Sequence, residues 1–264
     1  MSMAGKVRRP WFSRLVFLGV LLFLYLPLGV LVVNSFNASK YGGRWDGFTL
    51  GWYEKLRQDE ATLAALGNTL KIAALATGAS TLLGTLAAWC LHRYRSRLQS
   101  LHLVVTELPL AVPDIWIGVA LQLFFIQAGW DLGFGTVLAA HVTFCLCYVT
   151  ALMVGRLQGF DMQLVDAARD LGAGPVQVAL RIVLPVLLPG MIAAGLMAFI
   201  LSVDDFVITF FVSGPGGATL PAKVYAMART SRNMPVINAL STILILATLL
   251  TALLGHRFLK PKSA

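Results

Sequence analysis

The chain has 264 residues, of which 58% are hydrophobic and only 12% are charged, and its formal net charge is +9. Soluble domains carry about 25% charged and about 45–50% apolar residues. A soluble fold could not bury this much apolar surface, so the composition predicts an all-α protein that crosses a membrane several times. The same composition excludes a disordered, collagen-like or disulfide-rich chain. Because the basic residues stand in short clusters beside apolar runs, they indicate membrane topology rather than nucleic-acid binding.

Six apolar stretches of about 20 residues or more predict six transmembrane helices. In chain order they are Leu15–Val33, Leu66–Leu91, Leu101–Gln127, Phe134–Val154, Leu187–Val212 and Val236–Phe258. The first run is too long for a cleaved signal peptide and is interpreted as a retained span. We therefore divide the chain into residues 1–65 (N-terminal tail, first span and outer loop), a five-helix core over 66–258, and a tail over 259–264.

The distribution of lysine and arginine predicts the orientation. Most of the 21 basic residues lie in the N-terminal segment, the turn at 92–97, the segment 155–186 and the C-terminus. Loops rich in lysine and arginine face the cytoplasm. Both termini are therefore predicted to be cytoplasmic.

The connection between the fourth and fifth predicted spans, Gly155 to Val186, is about 30 residues long, and loops of that length usually have a function of their own. Its pattern predicts a short helix over Met162–Leu171 that ends at Gly172, and a second amphipathic helix opened by Pro175. From the pattern alone, a helix that merely rests on lipid is an equal alternative.

The same connection resembles the EAA loop of ABC-importer permeases, whose motif is Glu-Ala-Ala, three residues, Gly, nine residues and Ile-x-Leu-Pro. The matching positions are Asp166 (in place of the glutamate), Ala167, Ala168, Gly172, Ile182, Leu184 and Pro185. The resemblance implies a type I importer permease fold in the bacterial inner membrane and a coupling helix over residues 166–172. It also implies three partners: a second homologous permease that completes a heterodimer, a cytoplasmic ATPase dimer and a periplasmic binding protein.

Four acidic residues lie in or at the ends of the predicted spans: Glu107, Asp114, Asp204 and Asp205. An ionised carboxylate at mid-bilayer costs about 2.5–3.5 kcal/mol, so these groups should face the bundle or water, and a substrate path is the first interpretation. The spacing from Glu107 through Asp114 to Gly118 predicts one stripe on the third helix. Adjacent residues on a helix point about 100° apart, so one of Asp204 and Asp205 can face the path while the other supports a neighbouring helix. The sequence leaves open which does which.

Two prolines interrupt the third span and free backbone carbonyl oxygens. Together with the carboxylates and the nearby ring of Trp116, such carbonyls would suit an organic cation through ion pairing and cation–π contact. The alternative is that Pro109 and Pro113 only bend the helix for packing and that Asp114 bonds to a neighbour.

The run from Ser202 to Phe211, with Gly214-Pro215-Gly216 after it and Pro113-Asp114-Ile115 before it, is similar to the second permease subunit of spermidine/putrescine importers. The resemblance implies polyamine uptake. Permeases for ferric iron, thiamine or opines share parts of these motifs and remain alternatives.

No Gly-x-x-x-x-Gly-Lys-[Ser/Thr] phosphate loop occurs in the chain, so ATP and Mg²⁺ are expected on the partner ATPase and no enzyme activity is expected here. An intramembrane aspartyl protease would need its aspartates on separate helices, one in a Gly-x-Gly-Asp turn that this sequence lacks. A passive channel would have no use for the EAA loop. Cys90, Cys145 and Cys147 fall in or at the ends of predicted spans, and Cys145 and Cys147 would point about 200° apart on a helix. The four histidines are scattered, so no metal site and no disulfide framework is predicted.

Overall fold

A computed structural model describes residues 10–40, 44–94, 97–230 and 234–259. Apart from one isolated antiparallel bridge between Asn37 and Phe48, the regular elements in these ranges are helices. They are α1 (Pro10–Asn34), α2 (Gly51–Gln58), α3 (Glu60–Arg93), α4 (Gln99–Ala111), α5 (Asp114–Gln127), α6 (Phe134–Leu157), α7 (Gln163–Asp170), α8 (Pro175–Val178), α9 (Leu184–Asp204), α10 (Val207–Val212), α11 (Leu220–Thr230) and α12 (Met234–Leu259). A wide π turn, Ala179–Val183, joins α8 to α9.

Several of these helices are long and apolar enough to cross a bilayer. Within the described residues, four single helices meet that description: Trp11–Asn34, Glu60–Arg93, Phe134–Leu157 and Pro175–Asp204. The pair α4 and α5 would make a fifth if it forms one span, and α12 contributes the shorter apolar stretch Met234–Leu250. The prediction of a helical, multi-pass membrane protein is confirmed.

The third predicted span is two helices rather than one. α4 and α5 meet at an angle of 106° across Val112 and Pro113. Val112 has an extended conformation (φ −83°, ψ 132°) because the ring of the following proline excludes the helical conformation there. The predicted stripe that placed Glu107 and Asp114 on one continuous helix is therefore wrong.

The fifth predicted span is also interrupted. α9 ends at Asp204, Asp205 is extended (ψ 123°), and α10 begins at Val207. The aspartate pair therefore stands at a break between two helices and not inside one span.

The amphipathic helix predicted to start at Pro175 is not a separate element. It continues through the π turn into α9 as one helix, Pro175–Asp204, of 30 residues. In the π turn the amide of Leu184 donates to the carbonyl of Ala179, five residues back. Pro185 follows directly, and it has no N–H to complete the next hydrogen bond, which favours a locally widened helix.

Among the described residues, the larger compact unit contains 60–94, 97–225 and 246–259, and its core is built by α3, α6 and α9, which pack against one another. Ile72, Val149 and Met153 are fully buried there. Gly84 on α3 allows the closest approach, because a Cβ at that position would lie 2.7 Å from Val149 Cγ1. Small residues at helix contacts are typical of membrane bundles.

We expect G84V to destabilise the contact between α3 and α6 by about 1–3 kcal/mol, because overpacking forces side chains and backbone to shift. The measurement is the thermal midpoint of the purified complex in detergent, which should fall. G78A on the same helix is the control, since a Cβ there meets nothing within 4 Å. Equal midpoints for G84V and G78A would contradict this view of the packing.

Among the described residues, the second compact unit contains 10–40, 44–59, 226–230 and 234–245. Helix α1 has no buried residues within its most apolar window. After it, Asn37 is only 2% exposed and holds the segment between α1 and α2 together. Its side chain donates to the carbonyl of Arg44 and accepts from the amides of Ser39 and Asp46, while Trp52 Nε1 donates to its carbonyl.

Candidate functional site

A cavity of about 250 Å³ lies where α5 begins and α9 ends. Its wall combines carboxylates with aromatic rings. The carboxylates are Asp114, Asp204 and Asp205, and the rings are Phe144, Tyr148 and Phe206. Three of the four acidic residues singled out in the sequence are thus brought together.

Two helix interruptions place Asp114 and Asp204 at this cavity. Asp114 is the first residue of α5, directly after the 106° bend, and Asp204 is the last residue of α9. Both residues are exposed. Helix α5 packs closely on α10, where a Cβ added to Gly118 would lie 2.8 Å from the ring of Phe211. The two breaks are therefore held beside each other by the packing of α5 on α10.

Asp205 has a different environment from its neighbour, with a side chain only 7% exposed. Its carboxylate accepts hydrogen bonds from the amides of Ile208 (3.2 Å) and Thr209 (2.9 Å) and from Thr209 Oγ1 (2.8 Å). These bonds satisfy the free amides at the start of α10. Of the adjacent pair, Asp205 supports the neighbouring helix and Asp204 is the more open group at the cavity.

His141 on α6 was not among the residues predicted from the sequence, and it is fully buried beside Asp205. Its Nε2 lies 3.3 Å from Asp205 Oδ2 and 2.9 Å from Thr209 Oγ1. Its Nδ1 lies 2.7 Å from Ser202 Oγ on α9. The available signal was a histidine inside an apolar span, which requires polar partners. Those partners are 61 and 68 residues away in the sequence, so no local pattern identifies them.

Glu107 and Trp116 do not line this cavity. Glu107 is exposed on α4, on the other side of the bend, and Trp116 is 66% exposed on α5. Their place in the substrate path stays a prediction.

The short helix predicted in the long connection is confirmed as α7, Gln163–Asp170. Val165 and Ala168 form its buried face, whereas Asp166 and Ala167 are exposed. Leu171, directly after the helix, is 89% exposed. The exposed side of α7 and the residue after it therefore combine the carboxylate of Asp166, the small side chain of Ala167 and the apolar side chains of Leu164 and Leu171.

Gly172 ends α7 as the sequence predicts. Its amide donates to the carbonyl of Arg169 (2.9 Å), and the amide of Ala173 donates to the carbonyl of Ala168 (3.0 Å). This pair of bonds is the Schellman motif, which needs a left-handed residue at the position of Gly172. Gly172 has φ +83°, a conformation that glycine adopts without strain.

The last motif residues lie in the long helix that follows. Ile182 is partly buried and packs against the core, Leu184 is 38% exposed, and Pro185 stands in the first turn of α9. The motif positions thus extend from α7 into the 30-residue helix that ends at Asp204.

Residues 80–260 match the family described as "Binding-protein-dependent transport system inner membrane component". The spermidine/putrescine transport system permease protein PotC of Escherichia coli (strain K12) is 35% identical over 261 residues, 99% of this chain and 97% of PotC. The putrescine transport system permease protein PotI of the same strain is 43% identical over 246 residues, 90% of this chain and 87% of PotI.

Solved ABC transporters share the fold. A bacterial transporter involved in the import of the acidic polysaccharide alginate has a chain with TM-score 0.75 and 14% identity, covering 94% of this chain and 96% of that one. The MetNI methionine transporter in an inward-facing conformation gives TM-score 0.64 and 18% identity, covering 80% and 97%. The family match and the relatives' coverage show that this chain is a transport component rather than an enzyme. It belongs to the ABC-importer permeases, the inner membrane components of binding-protein-dependent transport systems.

Proposed function

We propose that this chain is a permease subunit of an ATP-driven importer of polyamines and forms half of the translocation path. The observation that carries the proposal is the cavity where Asp114 and Asp204 stand with three aromatic rings. Putrescine and spermidine are flexible chains with two or three ammonium groups at neutral pH. A wall that combines carboxylates with apolar surface matches that chemistry. The relatives PotC and PotI, which are named as permeases of spermidine/putrescine and putrescine transport systems, support the same class of substrate.

The C-terminal end of α9 adds a further attraction for an ammonium group at the cavity. The last carbonyl groups of a helix have no intrahelical partner, and the C-terminal end of a helix dipole attracts cations. Asp204 stands at that end of α9. Tyr148 and Phe206 add faces for cation–π contact. These contacts replace part of the water that an ammonium group loses, and each is weak enough to allow release.

The topology follows from the charges. Six membrane-spanning helices with both termini in the cytoplasm would place α7 on the cytoplasmic side of the inner membrane. The helix Pro175–Asp204 has 30 residues and so spans about 45 Å at 1.5 Å per residue. One continuous helix therefore runs from Pro175, close after α7, to the carboxylate of Asp204 at the cavity.

The partners are a second homologous permease, a dimer of cytoplasmic ATPases and a periplasmic binding protein. The solved alginate transporter has been captured with a ligand-bound periplasmic protein, which supports the last of these. ATP and Mg²⁺ belong to the ATPases. The exposed side of α7, with Asp166, Ala167 and Leu171, is the surface that would enter an ATPase cleft.

Uptake by cells that lack their own polyamine importers tests the proposal. The chain is co-expressed with its partner permease, ATPase and binding protein, and initial uptake of labelled putrescine, spermidine, ferric ion and thiamine is measured. We expect saturable uptake of at least one polyamine and only background uptake of ferric ion and thiamine. Uptake of ferric ion or thiamine without either polyamine would contradict the proposal.

A further inference from the structure

We propose that His141 is a positioning residue for the substrate cavity, because it holds the break between α9 and α10 and thereby the carboxylate of Asp204. The functional part of this inference rests on the proposed role of Asp204 in polyamine transport. The positional part rests on the contacts of the imidazole ring alone.

One imidazole ring connects both sides of the break to α6. On the side of α9, Nδ1 lies 2.7 Å from the hydroxyl of Ser202, two residues before Asp204. On the side of α10, Nε2 lies 2.9 Å from the hydroxyl of Thr209. Between them, Asp205 Oδ2 lies 3.3 Å from Nε2. The ring is fully buried, so water does not replace any of these partners.

The directions of the hydrogen bonds form one consistent set. Thr209 Oγ1 donates to Asp205 Oδ2 at 2.8 Å, so its lone pairs are free to accept from Nε2–H of His141. Ser202 then donates its hydroxyl proton to Nδ1. With a donor N–H at Nε2 and an acceptor at Nδ1, the ring meets the hydrogen-bonding needs of both hydroxyl groups, Ser202 and Thr209. The Asp205 carboxylate also receives the two amides at the start of α10, so its charge is well solvated by protein donors.

Helix α10 needs this support because it has only six residues. Isolated helices of that length are not stable, so tertiary contacts decide where it lies. Removal of the imidazole would leave the hydroxyl groups of Ser202 and Thr209 each short of a hydrogen-bond partner in buried surroundings, and the break would relax toward new partners. Asp204 directly precedes this break, so its carboxylate would move relative to Asp114 across the cavity.

The transport arm compares H141L, H141Q and H141N at equal amounts of assembled complex. We expect H141L to raise the KM for putrescine about tenfold or more, with a smaller change in kcat, because a misplacement of about 1 Å can change rates up to about 100-fold. Glutamine can place its amide N–H near the position of Nε2, whereas asparagine places it near Nδ1. H141Q is therefore expected to restore most of the KM, and H141N less. T150V is the matched control, since Thr150 is also fully buried on α6 but donates to the carbonyl of Leu146 in its own helix.

A labelling arm is independent of the transported substrate. D204C in a C90S background is reacted with a maleimide, and the slower reaction of the buried native thiols is subtracted. We expect H141L to change the reaction rate at position 204 by about threefold or more and T150V to leave it unchanged, because sites that share contacts are coupled and distant ones are not. If H141L does not assemble, H141N is compared with H141Q, and H141N is expected to show the larger change.

The two arms separate the failure of this inference from the failure of the proposed function. A reaction rate at position 204 that no His141 variant changes overturns the inference, whatever happens to the KM. An altered rate with an unchanged putrescine KM, in a complex that imports putrescine, overturns it as well. If the unmodified complex imports no polyamine but the rate still changes, the proposed function fails and the positioning by His141 stands.

Discussion

D204N is expected to reduce putrescine uptake by about 10- to 100-fold, because hydrogen bonds to charged groups contribute about 1.5–3 kcal/mol and each 1.4 kcal/mol is a factor of ten. The asparagine keeps the size of the side chain but removes its charge at the end of α9. D114N should have a similar effect, since Asp114 faces the same cavity from the start of α5. The measurement is the initial rate of labelled putrescine uptake, normalised to assembled complex.

D131N is the matched control, because Asp131 is an exposed aspartate in the connection between α5 and α6 that does not line the cavity. Its uptake should equal that of the unmodified complex. The double variant D114N/D204N should be more impaired than either single variant. Normal uptake by D114N, D204N and their double variant would contradict the assignment of the substrate path.

G172D is expected to abolish coupling between ATP hydrolysis and transport. At φ +83° the backbone of Gly172 is left-handed, which costs a residue with a side chain about 1–2 kcal/mol. A carboxylate at this C-terminal end of α7 also opposes the helix dipole. Relaxation of this strain would break the Schellman bonds and change how α7 presents its exposed side to the ATPase. We expect uptake to fall by about tenfold or more, through loss of the ATPase or through uncoupled hydrolysis.

G174A provides the control within the same turn. Gly174 has φ −70°, which any residue adopts, and a Cβ there would meet nothing within 4 Å. Its uptake and its ATPase stimulation by the binding protein should be unchanged. If the G172D complex shows both activities at the level of G174A, the coupling role proposed for residues 166–172 is wrong.

The helix α7 and its end at Gly172 were predictable because their determinants are local. Gly172 is required by its own backbone conformation, and the hydrogen bonds that need it come from residues within five positions. The apolar runs were predictable for a similar reason, since a helix that crosses lipid needs about 20 consecutive, predominantly apolar residues. Both features can be read without knowledge of distant contacts.

The cavity was predicted only in part. Pro113 indicates where the third span breaks, but not that α4 and α5 meet at 106°. That angle depends on the packing of α5 against α10, where Gly118 meets Phe211 from a distant part of the chain. The stripe from Glu107 to Asp114 failed because it assumed a straight helix. The different environments of Asp204 and Asp205 likewise depend on His141, which α6 supplies.

The role of Asp114 and Asp204 in the cation path is tested most directly by ATP-dependent putrescine accumulation in proteoliposomes that contain the complete purified complex. The unmodified chain and the D114N/D204N variant are compared side by side. The binding protein is supplied on the side of putrescine, and ATP on the side of the ATPase. We predict that the unmodified complex accumulates putrescine only with ATP and that the double variant, assembled to the same extent, accumulates about 100-fold less or none. Equal accumulation by the two complexes would contradict the claim that these carboxylates form the cation path.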